Sequence, residues 1–304
     1  MALLENLTGS APVSLRAHHR VGRAPDCDLV LAGAEVSGAH ALLRWTGVHW
    51  ELRDLGSRNG TWVDGRRMGP GESVPLPEGA GMAFGGAAHR WRLVDASPPR
   101  IQAVPLDGGE AVSLLDQFIA LPDADAPLLT VYRNAAGAWV ADQDGTVVVV
   151  ADLATVEVGG RAYRLDLAGG VSGTVEAVEM RPEVAKLAVE FTVSQDEEHI
   201  ELMMRAGGLR SELGSRSHHQ LLLTLARARL EDRAEGCSAA EEGWVYQDDL
   251  LKMLATSFNK LQVHIFRARR QFGESGVLDA AEVIQRRPDT GQIRLGVPEI
   301  LIRR

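Results

Sequence analysis

The sequence predicts a multidomain α+β protein, and three observations carry that reading. Residues 1–97 alternate short apolar runs with turns rich in Gly, Asp and Asn, the punctuation of an all-β unit. Residues 98–182 open at the proline-rich boundary Ser97-Pro98-Pro99-Arg100 and continue as short β runs, the pattern of a small middle β module. Residues 183–304 change character, passing from strands to three helical periodicities and a closing hairpin. At 304 residues the chain is long enough to build several separate cores.

In the first part, Leu29-Val30-Leu31 and Ala41–Trp45 read as strands. In the run from Val48 to Arg53, Val48, Trp50 and Leu52 alternate with His49, Glu51 and Arg53, the period of a half-buried strand. Asp64-Gly65 between Trp62-Val63 and Arg66-Arg67 predicts a tight hairpin. Three loops between these runs hold the chemistry of a phosphate site. Arg23 follows Gly22 at a strand end, Ser37-Gly38 form a second loop, and Ser57-Arg58-Asn59-Gly60 a third. A phosphate dianion is held best by a guanidinium fork, hydroxyls and backbone amides, because charge-assisted hydrogen bonds are the strong ones. Arg16, Arg20 and His18-His19 add local charge and read as solvated surface.

Gly22-Arg23, then Ser37-Gly38-Ala39-His40, then Ser57-Arg58-Asn59-Gly60-Thr61, at these separations, resemble a forkhead-associated (FHA) domain over about residues 10–95. The resemblance implies a β-sandwich whose loops read phosphothreonine in a partner peptide, with the partner phosphorylated by a Ser/Thr kinase pathway. It implies that Arg23, Ser37 and Arg58 contact the phosphate and that Asn59 holds the peptide backbone. Gly22, His40 and Gly60 would shape the loops. Gly38 belongs to the binding loop, but it stands where many members carry a side chain, so one peptide contact is expected to be lost.

In residues 98–182 the runs Pro127–Tyr132, Ala138–Ala141 and Thr146–Val150 read as strands. Val156–Val158 and Arg161–Leu165 read as a hairpin about Gly159-Gly160. None of the phosphate-binding residues recurs here, and the expected role is spacer or dimer contact.

In residues 183–304, Leu187–Val193 and His199–Met203 predict strands. Ser217-His218-His219-Gln220 has the spacing of a capping box, opening a helix with Leu221, Leu222, Leu225 and Ala228 on one side. A polar loop spans residues 233–243. A second helix is expected over Gln247–Ala255, with Asp248 and Asp249 suited to its dipole, and a third over Phe258–Phe272. Val283–Arg287 and Gln292–Leu295 form a hairpin about the turn Pro288-Asp289-Thr290-Gly291.

Strands, three helices and a hairpin make a winged-helix layout, and the stretch Leu261–Phe272 resembles the recognition helix of the OmpR/PhoB-type family, over about residues 185–297. At 100° per residue, Phe258, Leu261, Ile265, Ala268 and Phe272 fall on the core side of that helix. Asn259, Val263, Phe266, Arg267 and Arg270 face outward, flanked by Lys260, His264 and Arg269. A major groove accepts such a face, with Arg267 or Arg270 on guanine, Asn259 on adenine and Val263 on a thymine methyl. His264, Arg269 and Arg270 suit phosphates, and Arg294 in the wing suits the minor groove. Double-stranded DNA is therefore an expected partner. An aromatic beside arginines also fits a protein surface, so a scaffold or adaptor reading stands beside it.

Net charge is −9, unevenly spread. Residues 101–182 carry 4 Lys/Arg against 12 Asp/Glu, whereas residues 252–304 carry 10 against 5, a local basic end. Cys27 and Cys237 lack metal spacing and fit a reducing compartment. No signal peptide and no run long enough to span a bilayer is seen, so a cytoplasmic protein with no membrane partner is expected. No Walker-type loop or nucleophile elbow is present, and His218-His219 lacks a glutamate at zinc spacing. Neither enzyme activity nor a cofactor is expected.

Overall fold

The computed structural model describes residues 2–9, 11–167, 181–287 and 290–304. Residues 168–180, inside the expected middle module, and Pro288-Asp289 of the expected turn lie outside these. The chain divides into two compact units: residues 1–104 with 152–155 and 164–176, and residues 105–151 with 156–163 and 177–304.

The first unit is a β-sandwich. One sheet has five strands in the order Leu29–Val30, His18–Gly22, Ala41–Trp45, Trp50–Asp54 and Ser73–Leu76. The other has six: Val13–Ser14, Leu3–Asn6, Arg90–Asp95, Gly81–Phe84, Thr61–Val63 and Arg66–Arg67. Alternation along each strand sends Leu43, Trp50, Leu52, Phe84, Trp91 and Leu93 between the sheets, where all are buried. Val48, expected inside, is 80% exposed because it sits at the hairpin tip and the strand begins only at Trp50. His19, expected on the surface, is buried, and burial lowers its pKa to about 4 against the pull of Asp28.

The second unit contains an antiparallel meander of Ile119–Leu121, Leu129–Arg133, Trp139–Gln143 and Thr146–Val149. It also holds helices α1 (His219–Ala234), α2 (Gln247–Met253) and α3 (Phe258–Glu274). A sheet of Leu209–Ser215, Ile200–Ala206 and Ala188–Val193 is completed by Glu299–Arg303, which pairs in parallel with Ala188–Val193. The hairpin strands Ile284–Arg287 and Gln292–Leu295 pair in register, with Val245–Tyr246 on the outer edge. Strands, three helices and hairpin thus follow the expected order.

Two local expectations are corrected, and one strand is new. No capping box forms at α1: His218 is its N-cap and makes no side-chain cap bond. Arg216 N instead donates to His219 Nδ1 at 3.3 Å. The Glu299–Arg303 strand was not anticipated. The meander is no spacer either: its Phe118, Ala120, Tyr132 and Val140 join the core formed by Leu222, Leu261, Ile265 and Phe272 of α1 and α3.

Candidate functional site

The three donor loops meet at one end of the sandwich, held together by their backbones. Arg23 N donates to Ser37 O at 2.9 Å and Ala24 N to Gly38 O at 3.0 Å, locking the first loop to the second. Arg58 N donates to Ser37 Oγ at 3.1 Å, locking the third loop to the same serine. Because that oxygen already accepts from the amide, the Ser37 hydroxyl proton is free to donate. A Cβ on Gly22 would collide with the Gly38 carbonyl oxygen, so only glycine permits this approach.

His40 braces the loops from below. Ser37 N donates to Nδ1 at 3.0 Å, which places the ring proton on Nε2, where it reaches Gly60 O at 3.1 Å. Burial lowers the His40 pKa against the Gly60 carbonyl and Asp54, keeping the ring neutral in this role. Gly60 itself has φ +102°, a conformation that favours glycine.

Asp54, which the sequence reading passed over, holds the third loop. Its carboxylate accepts from Gly56 N (2.8 Å), Ser57 N (3.0 Å), Ser57 Oγ (2.6 Å) and Thr61 Oγ1 (2.6 Å). Burial works against the charge, but the Ser57 and Thr61 hydroxyls and the loop amides outweigh it and hold the pKa below the usual carboxylate value. The signal was legible as an acidic residue just before a Gly-Ser turn, an Asx-type arrangement.

Arg23 and Arg58 are exposed, and among the described residues neither guanidinium has an intramolecular partner. Asn59 donates through Nδ2 to Glu35 O at 2.8 Å, which orients its amide and leaves Oδ1 open to a peptide backbone. Gly38 is exposed at the rim. Two unengaged guanidiniums, a donating hydroxyl and an oriented amide are the equipment for a phosphorylated peptide.

Residues 19–85 match the FHA domain family. The N-terminal region is an FHA domain. FHA domains are phosphopeptide-binding modules rather than enzymes. The chain is 41% identical over 56 residues to FhaB of Mycobacterium tuberculosis, which covers 18% of this chain and 36% of FhaB. It is 37% identical over 75 residues to PS1 of Arabidopsis thaliana, 24% of this chain and 5% of PS1. Among solved structures, EmbR of Mycobacterium tuberculosis in complex with a low affinity phosphopeptide aligns at 32% identity and a TM-score of 0.28. That alignment covers 30% of this chain and 23% of EmbR. The chain therefore spans well under two thirds of these relatives.

The second set of expected site residues lies on α3 and the hairpin, and the structure separates them. Asn259 and Arg267 are exposed, and Val263 and His264 half-buried, along the open side of α3. Burial, with Arg267 and Lys260 nearby, lowers the His264 pKa. Phe266, expected outside, is 4% exposed and packs edge-on against Phe118 at 6.0 Å. Arg269, expected to flank the open face, is instead 3% exposed. Its guanidinium donates to Asp142 Oδ2 (3.1 Å) and Ile284 O (2.6 Å) and lies over the Tyr132 ring. Arg270 is half-buried and paired with Asp116 at 2.9 Å and Glu274 at 3.0 Å. Arg294 donates to Gln285 Oε1 (2.8 Å) and to the carbonyls of Ala239 and Ala240, and stacks on Trp244. The physical reason is common to Phe266, Arg269 and Arg270: the meander and its flanking turns lie against that flank of α3. As folded here, Arg269 is inside a core and cannot reach a DNA phosphate.

Among the described residues no His/Cys/Asp/Glu group could hold a metal ion, and no helix is long and apolar enough to cross a membrane.

Proposed function

We infer that this protein is a non-enzymatic reader of phosphothreonine in a protein partner, one phosphorylated by a Ser/Thr kinase pathway. One observation carries the reading: Arg23 and Arg58, both tied through their amides to Ser37, present unengaged guanidiniums beside its free hydroxyl. Asn59 is oriented next to them to take the peptide backbone. The test is fluorescence anisotropy of a labelled phosphothreonine peptide library against the full chain. Losing a charge-assisted hydrogen bond costs roughly 1.5–3 kcal/mol, so Arg23→Ala is expected to weaken binding by about tenfold or more. Equal affinity in both proteins removes the reading.

For the second unit two readings compete. On one, a winged helix binds double-stranded DNA and the chain is a phosphothreonine-dependent transcription regulator. On the other, the same unit is a protein-interaction module and the chain is a scaffold or adaptor. The adaptor reading is favoured by the engagement of Phe266, Arg269, Arg270 and Arg294 within the unit. The DNA reading keeps Asn259, Val263, His264 and Arg267, the open strip of α3. Arg267→Ala discriminates: it abolishes binding to a duplex selected from genomic fragments if α3 reads DNA, and changes nothing if the unit is an adaptor.

A further inference from the structure

The outer face of the six-stranded sheet carries a groove of about 440 Å³ that shares no residue with the phosphate loops. Its walls follow from strand alternation. Along Arg90–Asp95, Arg90 and Arg92 point out while Trp91 and Leu93 point in. Cross-strand pairing sets Arg90 opposite Ala83, Arg92 opposite Gly81, and Ala83 opposite Trp62. The floor is therefore made of small residues, with an indole on one side and two guanidiniums on the other.

Two of the groove's donors have no partner within the chain. Among the described residues the Arg90 and Arg92 side chains make no hydrogen bond or ion pair. The one carboxylate on the lining, Asp64, already accepts from Gly81 N at 2.8 Å. At the groove's end Leu7 is 41% exposed.

We propose that this groove docks an extended acidic segment of a protein partner, its carboxylates on Arg90 and Arg92 and an apolar side chain on the Gly81–Ala83 floor against Trp62. Donors without acceptors call for an acceptor-rich ligand, and charge-assisted pairing with guanidinium selects carboxylates. The small floor admits a side chain beside an aromatic wall, which suits a peptide. A nucleic-acid strand fits less well: only two guanidiniums are free to meet a run of phosphates, and Trp62 is the one outward aromatic wall on which a base could stack.

The test titrates the full-length protein with the unphosphorylated hexapeptide Glu-Asp-Leu-Glu-Asp-Leu, its Gln-Asn-Leu-Gln-Asn-Leu counterpart and a thymidine hexanucleotide. Amide resonances of Gly81 and Ala83 and the fluorescence of Trp62 in a variant series report on the groove. The acidic peptide should shift these signals, with the neutral peptide and the Arg90→Ala/Arg92→Ala variant each about tenfold weaker or more, the loss expected for one charge-assisted bond. Arg23→Ala should leave this binding unchanged. Unmoved signals, equal binding of the neutral peptide, or tighter binding of the hexanucleotide would each overturn the proposal. Retained phosphothreonine-peptide binding by the Arg90→Ala/Arg92→Ala protein separates loss of the groove from unfolding.

Discussion

Asp54 shows how a residue set behind a candidate site can govern the loop that carries it. Its one carboxylate holds two amides and two hydroxyls of the loop that carries Arg58 and Asn59. Without it the loop must be ordered at the expense of binding, so Asp54→Ala is expected to weaken phosphothreonine-peptide affinity roughly tenfold, the equivalent of about one net hydrogen bond. Isothermal titration beside Arg23→Ala checks this, and undiminished affinity would show the loop is held by other means. Glu242 makes a second residue-scale case. It accepts from Arg233 and Arg229, with Arg229 also buried, and those bonds, Arg233 first, outweigh burial and hold its pKa down at about 2 against an ordinary 4.5. A carboxyl whose folded pKa is depressed adds stability that is complete above its unfolded pKa and lost as pH falls through the folded value. Glu242→Gln should thus be destabilising at neutral pH, by about 3 kcal/mol if the buried guanidinium is left uncompensated. The deficit relative to wild type should shrink between pH 4.5 and about 2, as urea melts at stepped pH would show.

At the scale of elements, α3 is held by a charge arrangement that makes an asymmetric forecast. Arg269 and Arg286 both donate to Asp142 Oδ2, at 3.1 and 2.8 Å, in a nearly dry interior. Removing the shared carboxylate leaves two buried cations facing each other, whereas removing Arg269 leaves one balanced pair. Asp142→Ala should therefore cost about 3–5 kcal/mol and Arg269→Met less than half as much, since replacing a buried ion by a well-packed apolar side chain is often near neutral. Denaturant unfolding of the two variants decides it, and equal costs would refute the shared-carboxylate account. The same helix marks the limit of what the sequence could tell. Of the core stripe Phe258, Leu261, Ile265, Ala268 and Phe272, legible because period alone sets it, the last four are buried and Phe258, in the first turn, is half-buried. Phe266 and Arg269 were misplaced because their burial is made by Phe118, Tyr132 and Asp142, more than a hundred residues earlier, and no local periodicity encodes that contact. The FHA loops were legible for the opposite reason: Gly22, Ser37, His40 and Asn59 act through close backbone geometry that demands particular residue types. Asp54 was missed because an acidic residue at a strand end is common and acquires its meaning only from the turn it closes.

At the scale of the whole molecule, the balance between adaptor and DNA reader turns on how many cations the chain can present to a phosphate backbone. The net charge is −9, so non-specific attraction to a duplex must come from a local basic surface rather than from the protein as a whole. On α3 that surface is reduced to Lys260 and Arg267, with His264 kept neutral by its lowered pKa, because Arg269 is internal and Arg270 is ion-paired. Each phosphate neutralised on B-DNA contributes about −0.9 to the slope of log affinity against log salt. The fold described here therefore permits a slope no steeper than about −2 for α3, a weak and salt-tolerant association. A measured slope near about −3.6 would require two further cations on α3, and Arg269 and Arg270 can be supplied only if the meander leaves the helix. Hydrogen exchange would then show Phe266 and its neighbours losing protection on addition of duplex. A shallow slope with protection intact would instead assign the second unit to protein contacts.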